Sequence, residues 1–240
     1  MRLIQILRTF TGLLVLLASP AAGGEPGAPA DRIAVDIGKA PWSAVGRINN
    51  SAYGRCSAVL VRRDIAVTAA HCLYNPASRR FLQPASIHIL FGFSKGRYGF
   101  HTTASEITIA KGYEPGGKAA SASQDWAILR LAEAAPAAFP PMAMPHAGEP
   151  PASSVRAAGF AQERSEVLTA TEPCKVFGGV EDALLVTNCP LSHGFSGGPM
   201  IDGATGELAG ISVAISQIGA RSFGIAVPAS SIAKALPPAP

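Results

Sequence analysis

The chain has 240 residues, 48% hydrophobic and only 15% charged, enough apolar content for a sizeable core and too little charge for a disordered chain. Its formal net charge is +4, or +2 once an N-terminal leader is set aside, too slight to point to nucleic acid or an anionic membrane as partner. The 25 glycines and 20 prolines are spread along its length, which favours short strands and turns over long helices, in one domain of two lobes or two small domains.

Arg2 and Arg8 precede the run Thr11-Gly12-Leu13-Leu14-Val15-Leu16-Leu17-Ala18, and Ser19-Pro20-Ala21-Ala22 follows it. A positive start, a short apolar stretch and small residues beyond it spell a secretory signal peptide over residues 1–22. The run is well short of the ~20 residues that span a bilayer, and no Cys follows it to carry a lipid, so no stable membrane anchor is expected. Cleavage near Ala21 or Ala22 removes two of the 20 basic residues and none of the 16 acidic ones. The expected location is secreted or periplasmic. Residues 23–32 read as a flexible lead-in with no core pattern.

From residue 33 to 135, short apolar runs alternate with turn residues, as in a β lobe. Residues 56–61 and 65–68 flank Arg62-Arg63-Asp64 and read as a hairpin; further strands are expected at 86–93, 106–110 and 126–131. Residues 136–153 are rich in Ala and Pro, poor for strand and helix alike, and read as a linker. The second lobe, 154–240, repeats the style with strands at 154–159, 174–177, 183–187, 200–201, 207–215 and 222–227. Residues 228–236 fit one short helix, capped by Ser230 and stopped by Pro237. Many short strands at even spacing mean an all-β sandwich or barrel, not alternating β-α units.

Four cysteines, Cys56, Cys72, Cys174 and Cys189, favour disulfides in an exported chain, and four cysteines permit three pairings. The local pairs would close loops of comparable length, one in each half. No Cys-x-x-Cys occurs, so neither a metal site nor a cofactor is expected.

Three segments carry candidate chemistry. Ser196 lies in Gly194-Phe195-Ser196-Gly197-Gly198-Pro199, where flanking glycines allow a tight turn and close approach of backbone N–H groups to a substrate carbonyl. Gly194 and Ser196 would supply the oxyanion donors. His71, in Thr68-Ala69-Ala70-His71-Cys72, follows a predicted strand and is the base candidate. Asp125 opens the apolar run Trp126-Ala127-Ile128-Leu129, at the rim of a core, where it can face a histidine. His88, His101 and His146 are expected on the surface or in packing, with His193 a weaker cleft candidate. Gly194-Phe195-Ser196-Gly197-Gly198 also fits the nucleophile elbow of α/β-hydrolases, but those place their histidine after the serine, and none follows Ser196. Subtilisin order needs Asp before His. The order His71, Asp125, Ser196 leaves the chymotrypsin arrangement.

With Pro41-Trp42-Ser43-Ala44-Val45-Gly46-Arg47, these motifs resemble the trypsin/chymotrypsin family of serine proteases, in its small bacterial secreted branch, over about residues 33–230. The resemblance implies two six-stranded antiparallel β-barrels with the site in the cleft between them, and a serine endopeptidase working through an acyl-enzyme. It also implies a Cys56–Cys72 disulfide that holds the histidine loop. Primary-pocket positions map to Pro190, Ser212, Val213, Ala214 and Gly224; none is acidic, which favours a neutral, apolar P1 side chain. Animal members free an Ile N-terminus after Arg and pair it with an Asp just before the serine. Here Arg32-Ile33 is followed by Ala34-Val35-Asp36 and the residue before Ser196 is Phe195, so no Ile33 ammonium switch is expected. The partner expected is a protein or peptide substrate, met by a monomer. The alternatives are a non-catalytic binding module on a protease scaffold and an esterase using the same triad.

Overall fold

The structure is a computed structural model, and it describes residues 32–52, 54–116, 119–146, 152–180, 183–219 and 221–238. The expected signal peptide, and all but the last residue of the expected lead-in, lie outside these. In chain order the first strands are β1 (Arg32–Ala34), β2 (Val45–Asn50), β3 (Arg55–Arg62), β4 (Ile65–Thr68), β5 (Tyr74–Asn75), β6 (Arg80–Phe81), β7 (Ile87–Phe91), β8 (Phe100–Ile109) and β9 (Ala127–Leu131). Then come β10 (Ser154–Gly159), β11 (Thr169–Thr171), β12 (Cys174–Val180), β13 (Leu184–Thr187), β14 (Pro199–Asp202), β15 (Leu208–Ile218), β16 (Arg221–Pro228) and the helix α1 (Ala229–Ala233).

Strands β2-β3-β4-β9-β8-β7 close into one six-stranded antiparallel barrel. A second closes as β10-β12-β13-β16-β15-β14, with β14 returning to β10. The double barrel is the architecture that the family resemblance implied, where the short strands alone left sandwich or barrel open. The β3–β4 hairpin turns at Arg63-Asp64, as its sequence reads. Val45, Ile48, Val59, Leu60, Val67, Ile89, Phe91 and Leu129 are buried in the first barrel. Their core is continuous with Phe160, Leu168, Ile211 and Ile232 across the junction, while Val155, Cys174, Leu185, Phe195 and Met200 form a separate cluster in the second barrel.

The segment after β9 is pinned to both barrels rather than hung between them. The Met142 N–H donates to the Leu60 carbonyl, and the Leu208 N–H donates to the Ala143 carbonyl. Two local expectations need correcting. The helix begins after Pro228, with no side-chain cap, so Ser230 lies inside it and caps nothing; a fixed proline φ suffices to start so short a turn. And the first described strand does not join the first lobe: β1 pairs with β11, adding to the sheet of the second barrel through Arg32↔Thr171, Ile33↔Ala170 and Ala34↔Thr169.

Candidate active site

Strand register brings His71 and Asp125 together. β4 pairs with β9 through Thr68↔Ala127, so the residue three beyond the end of β4 lies close to the residue two before the start of β9. His71 sits on a 3-10 turn, Ala70–Leu73, whose Cys72 is bonded to Cys56 of β3. Asn50 adds a second tether, its Nδ2 donating to the Cys72 carbonyl at 2.9 Å. Asp125 engages His71 twice: Oδ1 accepts the backbone N–H at 2.9 Å, and Oδ2 lies 2.7 Å from Nδ1. A two-point grip fixes both position and ring orientation, and makes Nδ1 the donor, leaving Nε2 as the acceptor. The carboxylate is 12% exposed and the imidazole 36%, so the ring edge reaches the cleft while its anchor is shielded.

Ser196 lies in the loop between β13 and β14, whose conformation depends on glycine at two points. Gly194 has φ +97°, and a Cβ there would overlap the Phe160 carbonyl; Gly197 has φ +76°, and a Cβ would overlap the Thr68 hydroxyl and the Ser57 carbonyl. Gly197→Ala is therefore expected to cost about 3 kcal/mol of stability through a disfavoured backbone region and steric overlap together, read as a lower urea midpoint with unchanged slope.

Ser57, adjacent to Cys56, emerges as a linchpin that the motifs did not single out. Its Oγ donates to the Gly194 carbonyl at 2.9 Å and accepts the Phe160 N–H at 3.1 Å, while its backbone N–H donates to the Ser196 carbonyl at 2.8 Å. A buried hydroxyl of the first barrel thus fixes the serine loop of the second. Only its neighbour in sequence, a disulfide cysteine, hinted at a constrained position. Ser212 supports the loop from the other side: its carbonyl accepts the Gly197 N–H at 2.7 Å and its N–H donates to the Gly198 carbonyl at 2.9 Å.

His71, Asp125 and Ser196 line one cleft of about 1050 Å³. Of the pocket positions read from the sequence, Ser212, Val213 and Ala214 line it, and Pro190 and Gly224 do not. Leu191 takes their place on the wall; its Cδ1 lies where a Cβ on Gly224 would be 2.9 Å away. No motif pointed to Leu191, because it packs on Gly224 from 33 residues away in sequence. His193 also borders the cleft, whereas His88 and His101 stack on each other in the first barrel, Nδ1 to Nε2 at 2.9 Å. Tyr74 and Tyr113 line the cleft too, and burial, then the Asp125 carboxylate, push the Tyr113 phenol up and keep it neutral. Cys56, His71 and Cys72 have the proximity of a metal cluster, but both sulfurs are committed to a disulfide and offer no thiolate. Cys174 and Cys189 form the second disulfide.

The trypsin-like peptidase domain family matches residues 56–211 of this chain, which is more than half of it. The chain belongs to that family. Solved proteases are among its structural likenesses. A Glu endopeptidase solved in complex with MPD superposes with a TM-score of 0.70 at 17% identity, covering 86% of this chain and 97% of that one. The VesB protease of Vibrio cholerae gives 0.65 at 18% identity, over 85% of this chain and 65% of that one. At such identity the likeness is one of fold. No curated protein matches this trypsin-like peptidase. Among its described residues no helix is long and apolar enough to cross a membrane.

Proposed function

We propose that this peptidase is a secreted serine endopeptidase that cleaves peptide bonds through an acyl-enzyme, with Ser196 as nucleophile, His71 as general base and Asp125 as its orienting carboxylate. The observation that carries the proposal is the two-point hold of Asp125 on His71 in the cleft that Ser196 lines. His71 Nε2 would take the Ser196 proton as the hydroxyl attacks the carbonyl carbon, then return it to the leaving amine. The oxyanion would form against the N–H groups of Gly194 and Ser196. Among the described residues neither N–H donates to a protein acceptor. Export is supported by the N-terminal pattern of residues 1–22 and by two disulfides.

Beyond Ser212, which is bonded to Gly197 and Gly198, residues 214–218 of β15 pair with β16 on one side only, among the described residues. An extended peptide would add along the open edge and supply its own backbone hydrogen bonds. Leu191, Val213 and Ala214 then offer the P1 side chain a short apolar wall with no charge, favouring a small neutral residue. The test is a terminus profile of denatured proteins after digestion. Internal cuts after small apolar residues are expected; cuts confined to Lys, Arg or Glu would overturn the specificity, and turnover of small esters with intact proteins would overturn the endopeptidase.

A further inference from the structure

Arg32 is a buried cation whose contacts converge on the loop that carries Ser196. Its side chain is 5% exposed, although it belongs to the first strand of the described chain. Nη1 donates to the Pro190 carbonyl at 3.2 Å, Nη2 pairs with Glu163 Oε1 at 2.6 Å, and the guanidinium lies 5.7 Å from the centre of the Phe195 ring. The other carboxylate oxygen of Glu163 accepts the Ser192 hydroxyl at 2.7 Å. Pro190, Ser192 and Phe195 are thus all tied, directly or through Glu163, to one guanidinium. Gly194 and Ser196 lie within the same stretch. Burial alone would raise the Glu163 carboxyl, but the Ser192 hydroxyl, its own backbone N–H and then Arg32 hold it below the ordinary value, so the pair stays charged.

A buried arginine is expensive to desolvate unless it is paired, and its planar fork lets it hold several partners at once. Here it supplies a carbonyl, a carboxylate and an aromatic face, three different partners that a shorter or apolar side chain could not satisfy together. Phe195 stands immediately before the serine, so a cation seated on its ring fixes the backbone that must present two N–H groups. The next residue, Ile33, is 44% exposed and pairs with Ala170 within β1.

We infer that Arg32 is a positioning residue for catalysis: its guanidinium clamps residues 190–196 in the conformation that presents the Gly194 and Ser196 N–H groups to the cleft. The inference rests on the serine peptidase proposed above. It reverses the sense of cleavage after Arg32, which would detach the clamp and weaken activity instead of creating it.

The test uses the full chain, with kinetics on a peptide ester and hydrogen exchange of the segment around 190–196 measured side by side. Arg32→Met keeps the apolar stem and is expected to lower kcat about 10²-fold with KM little changed, as a displaced oxyanion site does. Exchange in that segment should rise about tenfold or more while the first barrel stays protected. Arg32→Lys, which restores charge without the fork, should recover part of both. Arg47→Met is the matched control: it removes another guanidinium seated on a phenylalanine (Phe93) and paired with a glutamate (Glu166), but one without contact to residues 190–196. It should lower stability and leave that exchange unchanged. Unaltered kcat and exchange in Arg32→Met would overturn the clamp. Should Arg32→Met fail to fold, Arg32→Lys and Glu163→Gln carry the test, and a segment equally protected in both would overturn it. Absence of organophosphonate labelling at Ser196 in the unmodified protein would overturn the serine peptidase instead, and the exchange arm would still decide the clamp.

Discussion

Ser196→Ala is expected to lower kcat about 10⁶-fold while leaving the free energy of unfolding within about 0.5 kcal/mol of its original value. The stability expectation follows from what the serine contributes to the fold. The Ser57 N–H bonds to its backbone carbonyl, and the glycines beside it set the turn; none of this needs the hydroxyl. Alanine keeps the Cβ and therefore the packing. The kinetic expectation follows from the chemistry, since without Oγ no acyl-enzyme forms and only bound water remains as nucleophile. Residual rate would come from binding and the oxyanion donors alone. Covalent labelling by an organophosphonate, followed by mass spectrometry, is the direct readout. Labelling that persists in the alanine variant would remove Ser196 from the mechanism.

Asp125→Asn is expected to cost about 10⁴-fold in kcat, a magnitude carried over from serine-protease triads in general. The local geometry says why so small a change would matter here. Two acceptor oxygens face two donors, the backbone N–H and Nδ1–H of His71. An amide offers one acceptor and one donor, so one of the two contacts must become donor against donor. If the amide nitrogen faces Nδ1, the ring must shift its proton to Nε2, and it can then no longer accept one from Ser196. If it faces the backbone N–H, the 3-10 turn carrying His71 is pushed away. Far-ultraviolet circular dichroism should show the fold retained, and steady-state kinetics on a peptide substrate should show the loss. A fall in kcat of less than about tenfold would mean that Asp125 only caps the strand it precedes.

Legibility in the sequence tracked how local each feature is. The β3–β4 hairpin, β9, β10 and β13 are dense apolar runs beside turn residues and could be read within a residue or so. β2 escaped because Gly46, Asn49 and Asn50 dilute it, though its Val45 and Ile48 are buried in the barrel core. The first half of β8, Phe100 to Ser105, is mostly Thr, Ser and His, and its pairing with β7 gives it order that its composition does not announce. β1 and β11 are three residues each, too short for any period, and are strands only because they pair with each other and with β10. In the candidate site, His71, Asp125 and Ser196 stood out because chain order and local motif constrain them. Ser57, Leu191 and Arg32 did not, since each acts through a contact made across the fold by a side chain common on any surface or in any core.

The seating of β1 on the second barrel also orders the events of folding. Everything that pairs His71 with Asp125 lies inside one barrel, the two being 54 positions apart. The Arg32 contact to Pro190 spans 158 residues and closes only when the second barrel exists. Closing the longer loop costs about 1 kcal/mol more chain entropy, and nothing short-range rewards it on the way. A half-folded molecule can therefore hold His71 against Asp125 while its 190–196 loop is still unbraced. On the proposed mechanism, activity arrives last, as a property of the whole chain.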